Sequence, residues 1–255
     1  MLAMLARQVW PLLGCALLVV LWALAARGAP TLLPPPGDVA LALVDLAQQG
    51  RLAADAWASV SRVLMGLAVA VAATLVLAVP AAVWPAFGAV ASGPIELVRP
   101  VPPIAWVPLA IMAFGVGTGA AVAIVALGAF LPLWLATAKG LRLVRRSHLL
   151  AARSLGAGWR LLLTDVAVPS VLPHFLHGLR LGVGLGWFSV VAAEMMGVPS
   201  GLGQGVQRFS LNLEMARLYA YIVAVGAIGF AWNALLLPLE GRACHWLTDG
   251  GPGRG

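Results

Sequence analysis

His174 and His177 stand three residues apart, a spacing that brings two imidazoles to one face of a helix, where they could ligate a metal. No cysteine or acid lies near enough in the sequence to complete such a site, so interfacial packing is the default for both, and no metal is assigned. Ser200-Gly201-Leu202-Gly203-Gln204-Gly205 has the glycine density of a phosphate-cradling loop but lacks the Lys-Ser/Thr ending. A gating or re-entrant turn pivoting on Gly201 and Gly203 suits it better. Cys15 and Cys244 are the only cysteines, one inside an apolar run and one near the C-terminus, which argues against both a disulfide framework and a thiolate metal site. Arg180 and Glu194 remain. Arg180 lies inside the apolar run Val171–Ala193, and Glu194 follows its last residue. At 1.5 Å rise per residue they lie about 20 Å apart along one helix and cannot pair within it. Glu194 then caps the outer end or contacts another span. Arg180 has two readings: an electropositive element on the route of an anionic solute, or a structural arginine that snorkels or pairs with a neighbouring helix.

The elements that must position these residues are set by composition. Of 255 residues, 62% are hydrophobic and only 10% charged, well below the charged share of a soluble domain. The solvent of such a chain is mostly lipid, and its length holds several spans of about 20 residues with no room for a sizeable soluble domain. A single polytopic domain over residues 1–255 follows. The net charge of +7 is concentrated in one segment between spans, without interleaved aromatics, so topology explains it better than nucleic acid does.

Apolar runs occur at Val9–Ala26, Val63–Val83, Ile104–Val116, Ala120–Ala138, Val171–Ala193 and Leu218–Leu237. Open sheet edges do not survive in hydrocarbon and the runs do not alternate, so the fold class is all-α transmembrane, a six-helix bundle. The first run exceeds the about 7–15 residues of a signal-peptide core and reads as an uncleaved helix. The third is short, entered through Pro100, Pro102 and Pro103, and carries Pro108, which predicts a kinked helix packed among protein neighbours.

Residues 139–170, between the fourth and fifth runs, hold Lys139, Arg142, Arg145, Arg146, Arg153 and Arg160 against the single acid Asp165. That excess places the segment in the cytoplasm and, with an even number of spans, both termini as well. Residues 28–58 and 194–217 then read as outer links. Leu141, Val144, His148, Ala151 and Leu155 recur at helical steps, so the segment predicts an amphipathic helix ended by Gly156 and Gly158. A second short helix begins near Trp159 and stops before Pro169. Such a helix-turn-helix is stiff enough to carry force to the spans on either side.

Leu150-Ala151-Ala152, Gly156 and, after nine intervening residues, Val166-Ala167-Val168-Pro169 form a pattern that resembles the cytoplasmic signature of inner-membrane permease subunits of binding-protein-dependent ABC importers. Pro102-Pro103-Ile104-Ala105-Trp106-Val107-Pro108, Gly128-Ala129-Phe130-Leu131-Pro132, Gly178-Leu179-Arg180, Ala193-Glu194-Met195-Met196-Gly197 and Ser200-Gly201-Leu202-Gly203 resemble the nitrate/sulfonate/taurine subgroup, in its order. The resemblance spans about residues 30–246. It implies a coupling loop in which Arg146, Leu150, Ala151, Ala152, Arg153, Leu155, Gly156, Ala157 and Pro169 meet an ATP-binding subunit. Where the signature usually opens with Glu, this chain has Leu150, which either packs by apolar contact, at about 25 cal/mol per Å² buried, or sits idle.

The resemblance further implies a transport subunit, not an enzyme, in the cytoplasmic (inner) membrane, moving a small anion of sulfonate, taurine or nitrate type inward. It implies a second permease copy, an extracytoplasmic solute-binding protein and no cofactor on this chain, with ATP and Mg on the partner ATPase. Two other function classes stand beside it. A membrane-embedded lipid enzyme would need His, Asp, Ser or Cys clustered near one leaflet, and none is seen. A scaffold or receptor subunit would use the basic segment only to dock proteins or anionic lipid heads.

Overall fold

A computed structural model of the chain describes residues 2–144, 150–152 and 154–243. Helices and their connecting turns make up the described residues: α1 Leu2–Gly28, α2 Pro36–Gln48, α3 Arg51–Val83, α4 Pro85–Val98, α5 Val107–Phe114, α6 Thr118–Leu143, α7 Val168–Met195, α8 Leu202–Leu211 and α9 Met215–Ala243. A 3₁₀ turn, Pro103–Trp106, precedes α5, and a helical turn Trp159–Leu161 followed by a π-helical stretch Leu162–Ala167 leads into α7.

Breaks fall where the backbone chemistry demands them. Pro36, Pro85 and Pro103 each sit in a first turn, where a missing N–H costs nothing. Gly50 turns α2 into α3 at φ 69°. Four helices are long and apolar enough to cross a membrane: Arg51–Ala81, Thr118–Leu143, Thr164–Met195 and Met215–Pro238. A fifth crossing is available if Ala86–Val98 and Pro103–Phe114, bent 89° to each other, form one broken span. The first run falls in α1, where the apolar helix Leu13–Gly28 is shorter than those four.

Several boundaries differ from the sequence reading. Residues 28–58, expected as a link, contain α2 and the first turns of α3, so Asp55, Ser59 and Arg62 lie on a helix continuous with the predicted second span. Polar residues on one face of a helix do not end it when that face is buried against partners. The third run is an eight-residue helix behind a 3₁₀ turn, as its prolines led one to expect of a kinked entry. The second helix of the 139–170 segment does not stop before Pro169. The chain stays helical from Trp159 into α7, because the π-helical stretch Leu162–Ala167 immediately ahead of Pro169 absorbs the break in the backbone ladder that a missing N–H makes.

α3, α6 and α7 form the centre of the bundle. Lipid gives no hydrophobic drive between helices, so association depends on close approach at small residues. α6 and α7 run antiparallel and meet along Gly178, Gly182 and Gly186: a Cβ on Gly178 would lie 2.7 Å from that of Ala136, and one on Gly182 2.9 Å from the Ala129 carbonyl oxygen. Gly140 is matched in the same way by His174, at 2.9 Å. Gly182→Leu is expected to destabilise the bundle by about 1–3 kcal/mol through overpacking, read as a lower unfolding midpoint of the purified protein in detergent. An unchanged midpoint would show that the two helices part without cost.

Around this centre, Trp187 and Val190 of α7 pack with Leu202 and Phe209 of α8, Tyr221 of α9 and Val39 and Leu46 of α2. Val107 and Ala110 of α5 pack on Ala121 and Ile124 of α6. The outer surface is apolar, with Val76, Leu97 and Phe230 at 70%, 81% and 74% exposure, as a face toward acyl chains requires.

Candidate functional site

Asp55, Ser59 and Arg62 recur at four and three residues on α3 and so share one face. That face is buried against the C-terminal end of α7 and the turn into α8, and the three side chains are 8%, 0% and 4% exposed. Burying an arginine is tolerable only with a charge partner and full hydrogen bonding. Both are present. Arg62 Nη1 pairs with Glu194 Oε1 at 2.7 Å and donates to the Ser200 carbonyl at 2.8 Å, while Nη2 donates to Ser200 Oγ at 2.8 Å.

Glu194, 1% exposed, also lies 2.8–2.9 Å from the Ser59 hydroxyl and accepts the Gly203 N–H at 2.9 Å. Ser59 Oγ in turn accepts the Leu202 N–H at 2.9 Å, and Asp55 accepts the Gly201 N–H at 3.0 Å. Three successive N–H groups at the start of α8, which no earlier turn could satisfy, are thereby taken by side chains of α3 and α7. On its other oxygen Asp55 accepts the Tyr221 hydroxyl at 2.7 Å, which ties α9 into the same network, and Arg208 of α8 approaches it at 3.6 Å.

This packing explains the glycines of the turn. Gly201 adopts φ 115°, and a Cβ there would overlap the Glu194 carboxylate; at Gly203 it would overlap the Val191 carbonyl. Every carboxylate oxygen of Asp55 and Glu194 is committed to a donor within the network. The arrangement is an ionic clamp that binds α3, α7, α8 and α9 at one end of the bundle.

Arg180 and Glu194 are not brought together. Arg180 is half-buried midway along α7, and its Nε donates to Asn233 Oδ1 of α9 at 2.9 Å. The pair lines a groove of about 530 Å³ between α7 and α9, with His177, Gly184, Trp187 and Trp232. His174 and His177 point to different neighbours: His174 packs against Gly140 of α6, His177 borders the α7–α9 groove. No group of three or more His, Cys, Asp or Glu that could hold a metal occurs among the described residues.

In the 139–170 segment, Leu150, Ala151 and Ala152 are helical, and Gly156 takes φ 83°. The Ala157 N–H closes back on the Ala152 carbonyl at 3.0 Å, the bond of a helix terminated by a left-handed residue. Leu150 and Leu155 project outward at 55% and 89% exposure. Pro169 lies in the first turn of α7. Arg146, Arg153 and His148 lie outside the described residues.

Sequence reasoning missed the clamp partners Asp55, Ser59, Arg62, Ser200 and Tyr221, and the groove partner Asn233. Helical spacing of three polar residues running into an apolar stretch, and an Asn inside the last run, were the available signals.

A sequence model of the family described as "Binding-protein-dependent transport system inner membrane component" matches residues 75–242. The taurine transport system permease protein of Escherichia coli (strain K12) is 34% identical, over 95% of this chain and 91% of its own length. The putative aliphatic sulfonates transport permease protein of Bacillus subtilis (strain 168) is 28% identical, over 85% of this chain and 78% of its own. The bicarbonate transport system permease protein of Synechococcus elongatus (strain ATCC 33912 / PCC 7942 / FACHB-805) is 26% identical, over 90% and 87%. With its apolar helices and this likeness over nearly its whole length, the chain belongs to the binding-protein-dependent transport system inner membrane component family, as a multi-pass ABC transporter permease subunit whose ATPase is a separate polypeptide.

Proposed function

We propose that this subunit imports a small oxyanion, of the sulfonate or bicarbonate kind named for its relatives, as one of two identical permease copies. In this reading the chain crosses the bilayer six times, by α1, α3, the bent α4–α5 pair, α6, α7 and α9, with both termini and residues 139–170 in the cytosol. The basic excess of that segment supports the orientation. The clamp then lies at the outer end, where a solute-binding protein delivers its cargo.

The observation that carries the coupling role is the pair of leucines on the basic segment. Leu150 at 55% exposure stands on a helix and Leu155 at 89% in the turn that Gly156 closes after it, in a segment too charged to enter lipid. Exposed apolar side chains on a rigid polar-flanked turn suit docking to a protein groove. ATP closure of the cytoplasmic ATPase pair would draw the two copies of this elbow together, and differential affinity of ATP and loaded binding protein for the two states drives the alternation.

The test is proximity. Leu155→Cys, in a background with Cys15 and Cys244 replaced by serine, is expected to crosslink to the ATP-binding subunit co-expressed with it, more strongly with ATP than without. Absence of any crosslink, or labelling of Leu155→Cys from outside intact cells, would overturn the reading.

A further inference from the structure

α4 has two unlike faces. Toward α3 it is closed, and a Cβ on Gly88 would lie 3.3 Å from that of Ala81. On the other side Ala86, Val90, Gly93 and Leu97 recur at steps of four, three and four residues and form one exposed stripe, with Val90 at 74% and Leu97 at 81% exposure. A Cβ on Gly93 would meet nothing within 4 Å.

Apolar exposure alone suits lipid, but this stripe is edged by charge. Glu96 adjoins Leu97, and Arg99 follows three residues later at the C-cap of α4. Both are exposed, and neither side chain has an ion pair or a hydrogen bond among the described residues. Glu96 lies inside the apolar helix Ala86–Val98, which in the reading above is one arm of a broken span. A charged side chain at membrane depth is costly and is found paired within protein. A carboxylate that the helices of its own chain leave unpaired calls for a partner outside that chain.

The charge pattern says which partner. An acid and a base three residues apart are separated by about 4.5 Å along the helix axis. In an isologous two-fold contact both copies present the same patch, so each acid meets the other copy's base and the face is its own complement. Small residues grant the close approach that helices in lipid need: Ala86, Ala89 and Gly93 leave the stripe shallow, and Val90 and Leu97 fill it.

We infer that the exposed face of α4 is the seat of the second permease copy, with Glu96 of each copy paired to Arg99 of the other. The inference rests on the two-copy importer reading above and gives it a surface. The ion pair forms only where two α4 helices meet in one register, so it selects this face over the uncharged apolar faces of the bundle.

Crosslinking in the complex with its ATPase, with Cys15 and Cys244 replaced by serine, decides the matter. Leu97→Cys is expected to give a disulfide-linked permease dimer on oxidation with copper phenanthroline. Glu96→Arg and Arg99→Glu are then placed in separate, differently tagged Leu97→Cys copies, and the linked fraction of the inserted protein is measured. Expressed alone, each should self-link at least about tenfold less, because like charges face each other. Expressed together, the two should link to one another at the level of Leu97→Cys alone. Pairing within one helix, or a face turned to lipid or water, gives no such preference. The Leu97→Cys link depends on neither charge change, and its absence refutes the proposal; so does equal linking of like and unlike copies. Co-purification of two differently tagged parental copies is scored alongside. Copies that co-purify without the Leu97→Cys link remove this face alone, and copies that do not co-purify remove the two-copy reading.

Discussion

Arg62→Met is expected to lower the stability of the folded bundle by about 3–5 kcal/mol, the cost of stranding a buried charge. Glu194 is 1% exposed and Arg62 is its ion-pair partner at 2.7 Å, so the methionine leaves a carboxylate that water cannot reach. The same change also removes the two bonds to Ser200 that hold the turn into α8. Glu194→Gln added to Arg62→Met should recover part of the loss. A neutral amide oxygen still accepts from Ser59 and Gly203, and no bare charge remains. Both are read by unfolding midpoints of purified protein in detergent. Equal stability of Arg62→Met and the parent would show that the carboxylate is not sealed from solvent.

Gly156→Val should cut uptake about 5- to 30-fold while the protein still inserts and folds. Crowding is not the cause, because an added Cβ at Gly156 meets nothing within 4 Å. The cause is φ 83°, which a β-branched residue adopts only at about 1–2 kcal/mol, so the turn that presents Leu155 opens. Gly156→Asn tolerates the left-handed region and should retain most uptake. This contrast separates the shape of the turn from its side chain. Full uptake in Gly156→Val would remove the coupling role from this elbow.

The two effects differ in kind. The clamp is a stability device: its breakage is felt wherever the fold is needed, since four helices share it. In the proposed reading the elbow is a transmission device, so its change leaves the bundle intact and shows only in uptake. Screening both variants for folding and for uptake distinguishes them.

Apolar runs as long as a bilayer is thick and the spaced motifs were enough to read an all-helical permease. Each of those signals is local: a span is recognised by its own composition, and a left-handed turn by its own glycine. Helix ends were less legible. α3 begins at Arg51 rather than near Val63, because polar residues on a helix read as a link until their partners are known. Pro169 read as a stop, yet the chain is helical through it, behind a π-helical stretch that no composition signals.

What the chain determined by itself, then, is its solvent, its class of secondary structure and its family; these follow from how each stretch partitions between water and lipid, one stretch at a time. Only the tertiary structure decided that Glu194 answers Arg62, 132 residues earlier, and that Arg180 answers Asn233, 53 residues later. Buried charges choose partners by proximity in a folded bundle, and proximity across helices is set by where small residues such as Gly178 and Gly182 let backbones approach, which no single segment encodes.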